Sequence, residues 1–363
     1  MDASPFPYQG PLAADQVRGR DDLVLELLER VSERRVTALT GPRRYGKTSV
    51  LARVAADLAE GGASVVWVDL YEVTSTADLA VRLDEALARA IGPLRSRLAS
   101  IAASLELNLG VLKVGLARRR SERPDAEATL HLLLDTLVEA GESYPAVVVF
   151  DEFPGIVRVP GAAGLLRTKL QHHFQTIGLL FAGSQPSLMR TLFTERTEPF
   201  YAQADLVPIG PLDAAAVDAI VGDGFRTSGR DPGTLAASIV SFAGGHPHRT
   251  MQLADAGWRV AEPGARYRKA VWEEAVADVR RSTALANEAA YSRYGTGEKV
   301  VLRLLAGGHS LFGAAAEVLA VSPGAAQHAR DTLLAAGEIV DDAGRLVVVD
   351  PVIADWIRHR FGL

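Results

Sequence analysis

Five short apolar runs, at 35–40, 64–70, 146–150, 178–182 and 205–209, alternate with segments whose apolar residues recur at helical spacing, at 47–58, 77–91 and 126–140. Strands with almost no polar alternation are buried on both faces. Strands separated by helices must cross over, so they lie parallel. The expected fold class is therefore α/β, a parallel sheet covered by helices on both sides. After Gly210-Pro211 the strand pattern stops, and helices are predicted over 212–226, 231–242, 247–260 and from 265 to about 294. The last block reads as helices from 295 and over 311–319 and 323–336, followed by a hairpin at 339–349. Ser322 suits the cap of the third helix, Pro323 its first position and Gly337 its end. Three helices and a hairpin form a winged-helix pattern. The expected organisation is an N-terminal segment 1–18, an α/β domain 19–210 with an insertion at about 92–125, a helical domain 211–294 and a winged helix 295–363.

Composition narrows the chemistry. Apolar residues make up 48% and charged residues 23%, which is ordinary globular usage. With no cysteine, disulfides, thiolate metal sites, iron–sulfur clusters and thiol nucleophiles are excluded, and a reducing compartment fits. The opening MDASPFPYQG lacks the basic flank and apolar core of a signal peptide. No apolar run is long enough for a bilayer. A cytoplasmic location without a membrane partner is expected. The formal charge of −5 gives the chain as a whole no pull toward nucleic acid.

Between the first run and the helix at 47–58 stand Gly41, Pro42, Arg43, Arg44, Tyr45, Gly46, Lys47 and Thr48, a full GxxxxGK[ST] motif in strand-to-helix context. Glycine at both ends lets backbone N–H groups turn inward around phosphate oxygens. The following helix adds its positive end, Lys47 is placed to reach the β- and γ-phosphates, and the Thr48 hydroxyl is a magnesium ligand. This loop, with Ser49 behind it, is the expected nucleotide-binding segment.

The run at 146–150 ends on Asp151 and Glu152. Carboxylates at the C-terminal end of a parallel strand lie where open sheets bind ligands. Asp151 is then the expected magnesium ligand and Glu152 the residue that polarises a water for attack on the γ-phosphate. The run at 178–182 releases Gly183, Ser184 and Gln185 on the same edge. If it neighbours the Asp151 strand, Ser184 or Gln185 faces the γ-phosphate or the attacking water; otherwise it is an ordinary strand exit.

Three features are weaker. The stretch 104–120 reads as a hairpin or an irregular helix, and its tail, Arg118, Arg119, Arg120 and Arg123, is the densest basic cluster. From Gly297 to Leu363 six basic residues face eight acidic ones, and the helix at 323–336 offers only Gln327, His328 and Arg330 to DNA, opposed by Asp331. Strong duplex binding neutralises ~6 to 10 phosphates, so packing or protein binding is favoured for this unit. The histidines show no paired metal-ligand spacing.

With these motifs in place the chain resembles P-loop ATPases of the AAA+/STAND superclass, and within it the family described predominantly in archaea. The resemblance runs through Gly19-Arg20-Asp21, GPRRYGKTS at 41–49, VVVFDEF at 147–153, AGSQPSLM at 182–189, PFYAQADLVPIGPL at 199–212, GGHP at 244–247 and VDPVIADWIRHRF at 349–361. It implies sheet order 5-1-4-3-2, ATP or ADP with Mg²⁺ as ligands, adenine near Gly19 and Arg20, and a helical lid whose His246 and Pro247 approach the nucleotide. It implies a nucleotide-controlled switch with a protein partner or self-association, and an ATP-gated DNA-binding regulator as the alternative. Family members often carry Gly-Arg where this chain has Ala202-Gln203. An arginine finger from that position is missing, Arg190, Arg196 or Arg249 being the candidates to replace it, and slow turnover is expected.

Overall fold

The computed structural model describes residues 3–91, 125–143, 145–311, 322–342 and 344–362. The predicted element at 104–120, the arginines of its tail and most of the predicted helix at 311–319 lie outside these residues.

Five parallel strands, β1 (Thr37–Thr40), β2 (Ser64–Asp69), β3 (Ala146–Asp151), β4 (Ile177–Gly183) and β5 (Asp205–Pro208), form one sheet in the order β2-β3-β4-β1-β5. This is the implied 5-1-4-3-2 order. Helices α1 (Asp21–Ser32) and α2 (Lys47–Glu60) pack on one face, where Leu27, Leu51 and Val54 meet Leu39, Val147 and Leu180. Helices α3 (Thr76–Ala88), α4 (Ala126–Ser143), α5 (Ala162–Leu170) and α6 (Pro186–Thr194) cover the other, where Leu83, Leu134 and Leu137 meet Val66, Val148 and Leu179. Strands β3 and β4 are buried throughout because both faces are covered, which is why their sequences carry no polar alternation. Register aligns their ends: Asp69 lies opposite Asp151, Phe150 opposite Phe181 and Thr40 opposite Gly183.

Four helices follow: α7 (Ala214–Thr227), α8 (Leu235–Ala243), α9 (Pro247–Val260) and α10 (Lys269–Ser292). Three of them start later than their apolar spacing predicts, and local hydrogen bonding accounts for this. Asp213 caps α7 by accepting from the Ala216 N–H. The Asp231 carboxylate accepts from Gly233 N at 2.9 Å and Tyr267 N at 2.9 Å, holding both approaches to α8 and α10 as turns. The bundle core gathers Val217, Phe225, Leu235, Ile239 and Leu253, and Phe6 inserts into it from the N-terminal segment.

The chain ends in α11 (Thr296–Ala306), α12 (Pro323–Ala336), the antiparallel pair β6 (Ile339–Asp342) and β7 (Arg345–Val348), and α13 (Pro351–Phe361). Ser322 caps α12 by accepting from the Ala325 N–H, and Gly337 ends it at φ +71°. Among the described residues no helix is long and apolar enough to cross a membrane.

Candidate nucleotide site

The site is built on the C-terminal edge of the sheet, where β1, β3 and β4 end side by side. The loop Gly41–Gly46 links β1 to α2. Gly46 holds φ +87°, a conformation open to glycine, and a side chain on Gly41 would strike Ile209. With Gly46 as N-cap, α2 opens at Lys47 and carries Val50, Leu51 and Val54 into the core, so the sheet fixes the loop.

Lys47 is buried, and its Nζ donates to the carbonyls of Gly41 at 2.9 Å and Pro42 at 2.8 Å. Among the described residues it makes no ion pair. Burial pulls its pKa down to about 8, although Glu152 and Asp151 oppose this. Asp151, also buried, accepts from Thr48 Oγ1 at 2.9 Å and from the Glu152 N–H at 3.0 Å. Burial raises its pKa to about 6. Thr48 and Asp151, 103 residues apart, thus meet at one point.

Glu152 stands at φ +49°, an uncommon backbone for a side-chain-bearing residue. Its carboxylate accepts from Ser184 Oγ at 2.8 Å and Ser184 N at 3.2 Å. The prediction that β4 neighbours β3 holds, and the nearest partner of the Ser184 hydroxyl is Glu152. Both strand exits rest on one aromatic cluster. Phe153 packs on Phe181 with centroids 4.5 Å apart, and Phe150, Phe193 and Phe200 surround that pair.

The remaining predicted residues arrive from further off. His246 caps α9 and sets its ring edge-on to Tyr45 of the loop, centroids 5.0 Å apart, with Pro247 opening the helix. Burial lowers the His246 pKa to about 4 and that of His248 to about 3. Arg20 donates to the carbonyls of Gly210 at 2.7 Å and Pro211 at 3.3 Å, so it clamps the crossing from sheet to bundle, with Gly19 packed beside Ala216. Ser49 Oγ accepts from the Leu12 N–H at 3.0 Å, tying the N-terminal segment to α2. Arg43 and Arg44 are exposed.

Of the arginines weighed as fingers, Arg190 and Arg196 are exposed. Arg249 is committed elsewhere: its guanidinium grips Asp350 at 2.6 Å and Gln252 Oε1 at 2.5 Å. Sequence reasoning missed Asp350. Asp350-Pro351 at a helix start was the signal for its capping role, but nothing marked its pairing with a residue 101 positions away. The Leu12–Ser49 tie left no signal at all.

Sheet order, glycine loop and paired strand-end carboxylates together define a P-loop nucleotide hydrolase. Residues 29–192 match the family described as the AAA domain, and this part of the chain is an AAA-type P-loop ATPase domain. No curated protein matches the chain. Among solved structures it is similar to the Walker-type ATPase PABY2304 of Pyrococcus abyssi, with a TM-score of 0.74, 18% identity, and coverage of 98% of this chain and 99% of that one. It is also similar to the ADP form of the Aeropyrum pernix ORC2 protein, with a TM-score of 0.53, 15% identity and coverage of 98% and 97%. The A. pernix ORC1 protein in complex with DNA gives a TM-score of 0.50, 14% identity and coverage of 94% and 93%. At these identities the shared property is the fold.

Proposed function

We propose that the chain is a magnesium-dependent ATPase of AAA+/STAND type that works as a slow, nucleotide-controlled conformational switch. The observation that carries this reading is the meeting of Lys47, Thr48, Asp151, Glu152 and Ser184 at one sheet edge, with Lys47 and Asp151 buried and, among the described residues, in no ion pair within 4 Å. Buried charge without a partner is costly and recurs where a charged ligand completes the balance.

In this reading the loop N–H groups from Gly41 to Thr48 and the first turn of α2 take the phosphates, Lys47 leaving its two carbonyls for the β- and γ-oxygens. The hard oxygens of Thr48 and Asp151, already adjacent, fit a magnesium ion. They would hold it, and it would neutralise phosphate charge. Glu152 accepts the proton of the attacking water, and Ser184 orients the carboxylate that does so. Gly19, Arg20, His246 and Pro247 line the approach of the base, with α7–α10 as the lid. Ala202-Gln203 and the commitment of Arg249 to Asp350 remove two of the candidate finger positions, which favours slow turnover. The unit from 295 onward is the winged helix, and the cytoplasm suits the whole.

DNA binding is the second reading, raised by the ORC1 neighbour. The only arginine of α12, Arg330, spends its donors on Asp331 at 2.8 and 3.0 Å, which argues against it. A partner protein or a second copy suits the terminal unit better.

The test is phosphate release from ATP by the full chain, with and without magnesium, beside duplex-DNA binding at low salt. Magnesium-dependent release that is slow and undisturbed by DNA supports the reading; absence of both nucleotide uptake and release refutes it.

A further inference from the structure

Helix α10 is 24 residues long, ~36 Å at 1.5 Å per residue. It serves two cores. Ala275, Val276 and Val279 belong to the bundle core, while Tyr291 near its other end belongs to the terminal core with Val301, Leu304 and Leu333. Helix α13 is shared in the same way: Val352 enters the bundle core, whereas Ala354 and Ile357 enter the terminal one.

Two ion pairs reinforce this sharing. Arg249 of α9 holds Asp350, the cap of α13, through Nε at 2.9 Å and Nη2 at 2.6 Å, with both side chains largely buried. Arg280 of α10 holds Asp355 of α13 through Nε at 2.8 Å and Nη2 at 2.9 Å. Forked arginine–carboxylate pairs fix direction as well as distance.

The contacts of the terminal unit with the sheet domain are of another kind. Ser187 Oγ of α6 donates to the Leu334 carbonyl at 3.1 Å. Gly337 lies beside Pro186 and the Ser184 carbonyl, and Val349 rests partly buried against the α1–α2 face. Between bundle and sheet domain, Arg20 holds the Gly210 carbonyl at 2.7 Å, and His246 touches Tyr45.

We infer that the helical bundle and the terminal unit form one mechanical body, welded by α10, α13 and the two Arg–Asp forks, and that the moving seam is the one between α6 and α12. Hinging occurs at Gly210-Pro211, between Ile209 of the sheet core and Leu212 of the bundle core, at the grip of Arg20. Opening parts Leu334 and Gly337 from Ser187 and Ser184 and uncovers the side of the site on which Glu152 and Ser184 lie. The seam's link to nucleotide rests on the ATPase reading; the weld stands on its own.

Because the chain has no cysteine, introduced cysteines take spin labels at chosen positions only. One double variant, Asp218→Cys with Thr332→Cys, spans bundle and terminal unit; a second, Glu60→Cys with Thr332→Cys, spans sheet domain and terminal unit. Distance distributions are compared without nucleotide and with magnesium and a non-hydrolysable ATP analogue, and uptake of the analogue is measured by equilibrium dialysis. The expected result is a shift of the 60–332 distribution and an unchanged 218–332 distribution. A shift of 218–332, or no shift in either pair despite uptake, overturns the inference. If the analogue is not taken up, the ATPase reading fails. The weld is then decided by native-state hydrogen exchange of the full chain. Amides of α9, α10 and α13 merging into one opening transition as denaturant rises support it, and separate transitions for α9 and α13 overturn it.

Discussion

The loop edge of the sheet and the junction of α9 with α13 both bury charge, and they settle it in opposite ways. At the junction Arg249 and Asp350 complete each other: the guanidinium holds the Asp350 carboxyl below its usual range against the burial that would raise it, and the remaining carboxylate capacity caps α13. At the loop edge, among the described residues, Lys47 bonds only carbonyls and Asp151 only a hydroxyl and an N–H, and burial shifts each toward its neutral form. Charge balanced inside the chain fixes structure. Charge left unbalanced marks where something from outside belongs.

This contrast can be broken at either end. The largest expected effect is on rate: Glu152→Gln should lower phosphate release by ~10³-fold while ATP binding persists, measured by single-turnover kinetics. Equal rates would remove Glu152 from its role.

Next is the junction. Asp350→Ala leaves a buried guanidinium unpaired and removes a helix cap, so urea denaturation should reveal a loss of ~3–5 kcal/mol, much of it recovered in Arg249→Met with Asp350→Leu. The same removal of charge at the loop edge should act in the opposite direction. Lys47→Met deletes a buried ammonium that folding disfavours, and the empty chain should gain ~1–3 kcal/mol in the same assay. A loss of stability there would erase the distinction between the two regions.

Acid sharpens the comparison on the lid side. The His246 and His248 imidazoles sit at about 4 and about 3 in the fold against 6.5 unfolded. Between those values the unfolded chain binds more protons, so stability falls as pH drops from 6.5 toward 4. From pH 7 to 5 the loss should be ~2 kcal/mol per imidazole, and smaller in His248→Gln. The smallest effect is local: Gly46→Ala, forced to φ +87°, should cost ~1–2 kcal/mol.

The loop edge was legible because its determinants are short and covalently ordered. Gly41 to Thr48 and Asp151-Glu152 are contiguous, and strand order brings them together without further information. Ser184 was legible in place but not in partner, since a sequence shows that a hydroxyl follows β4 and not that Glu152 takes it. The junction was not legible. Arg249 and Asp350 are 101 positions apart, and Arg249 in isolation reads as well for a finger as for a strut. Helix starts at 214, 235 and 269 were displaced from their apolar periods by Asp213 and Asp231, whose side-chain bonds outweigh spacing over one turn.

The central claim, that the unbalanced charge at the loop edge exists to receive a triphosphate, is tested most directly by calorimetric titration of magnesium ATP into the 363-residue chain stripped of nucleotide and into Lys47→Met at pH 7. The account predicts saturation at one nucleotide per wild-type chain and affinity at least ~100-fold weaker in the variant, about 3 kcal/mol. Equal affinities, or no binding by either protein, would contradict it.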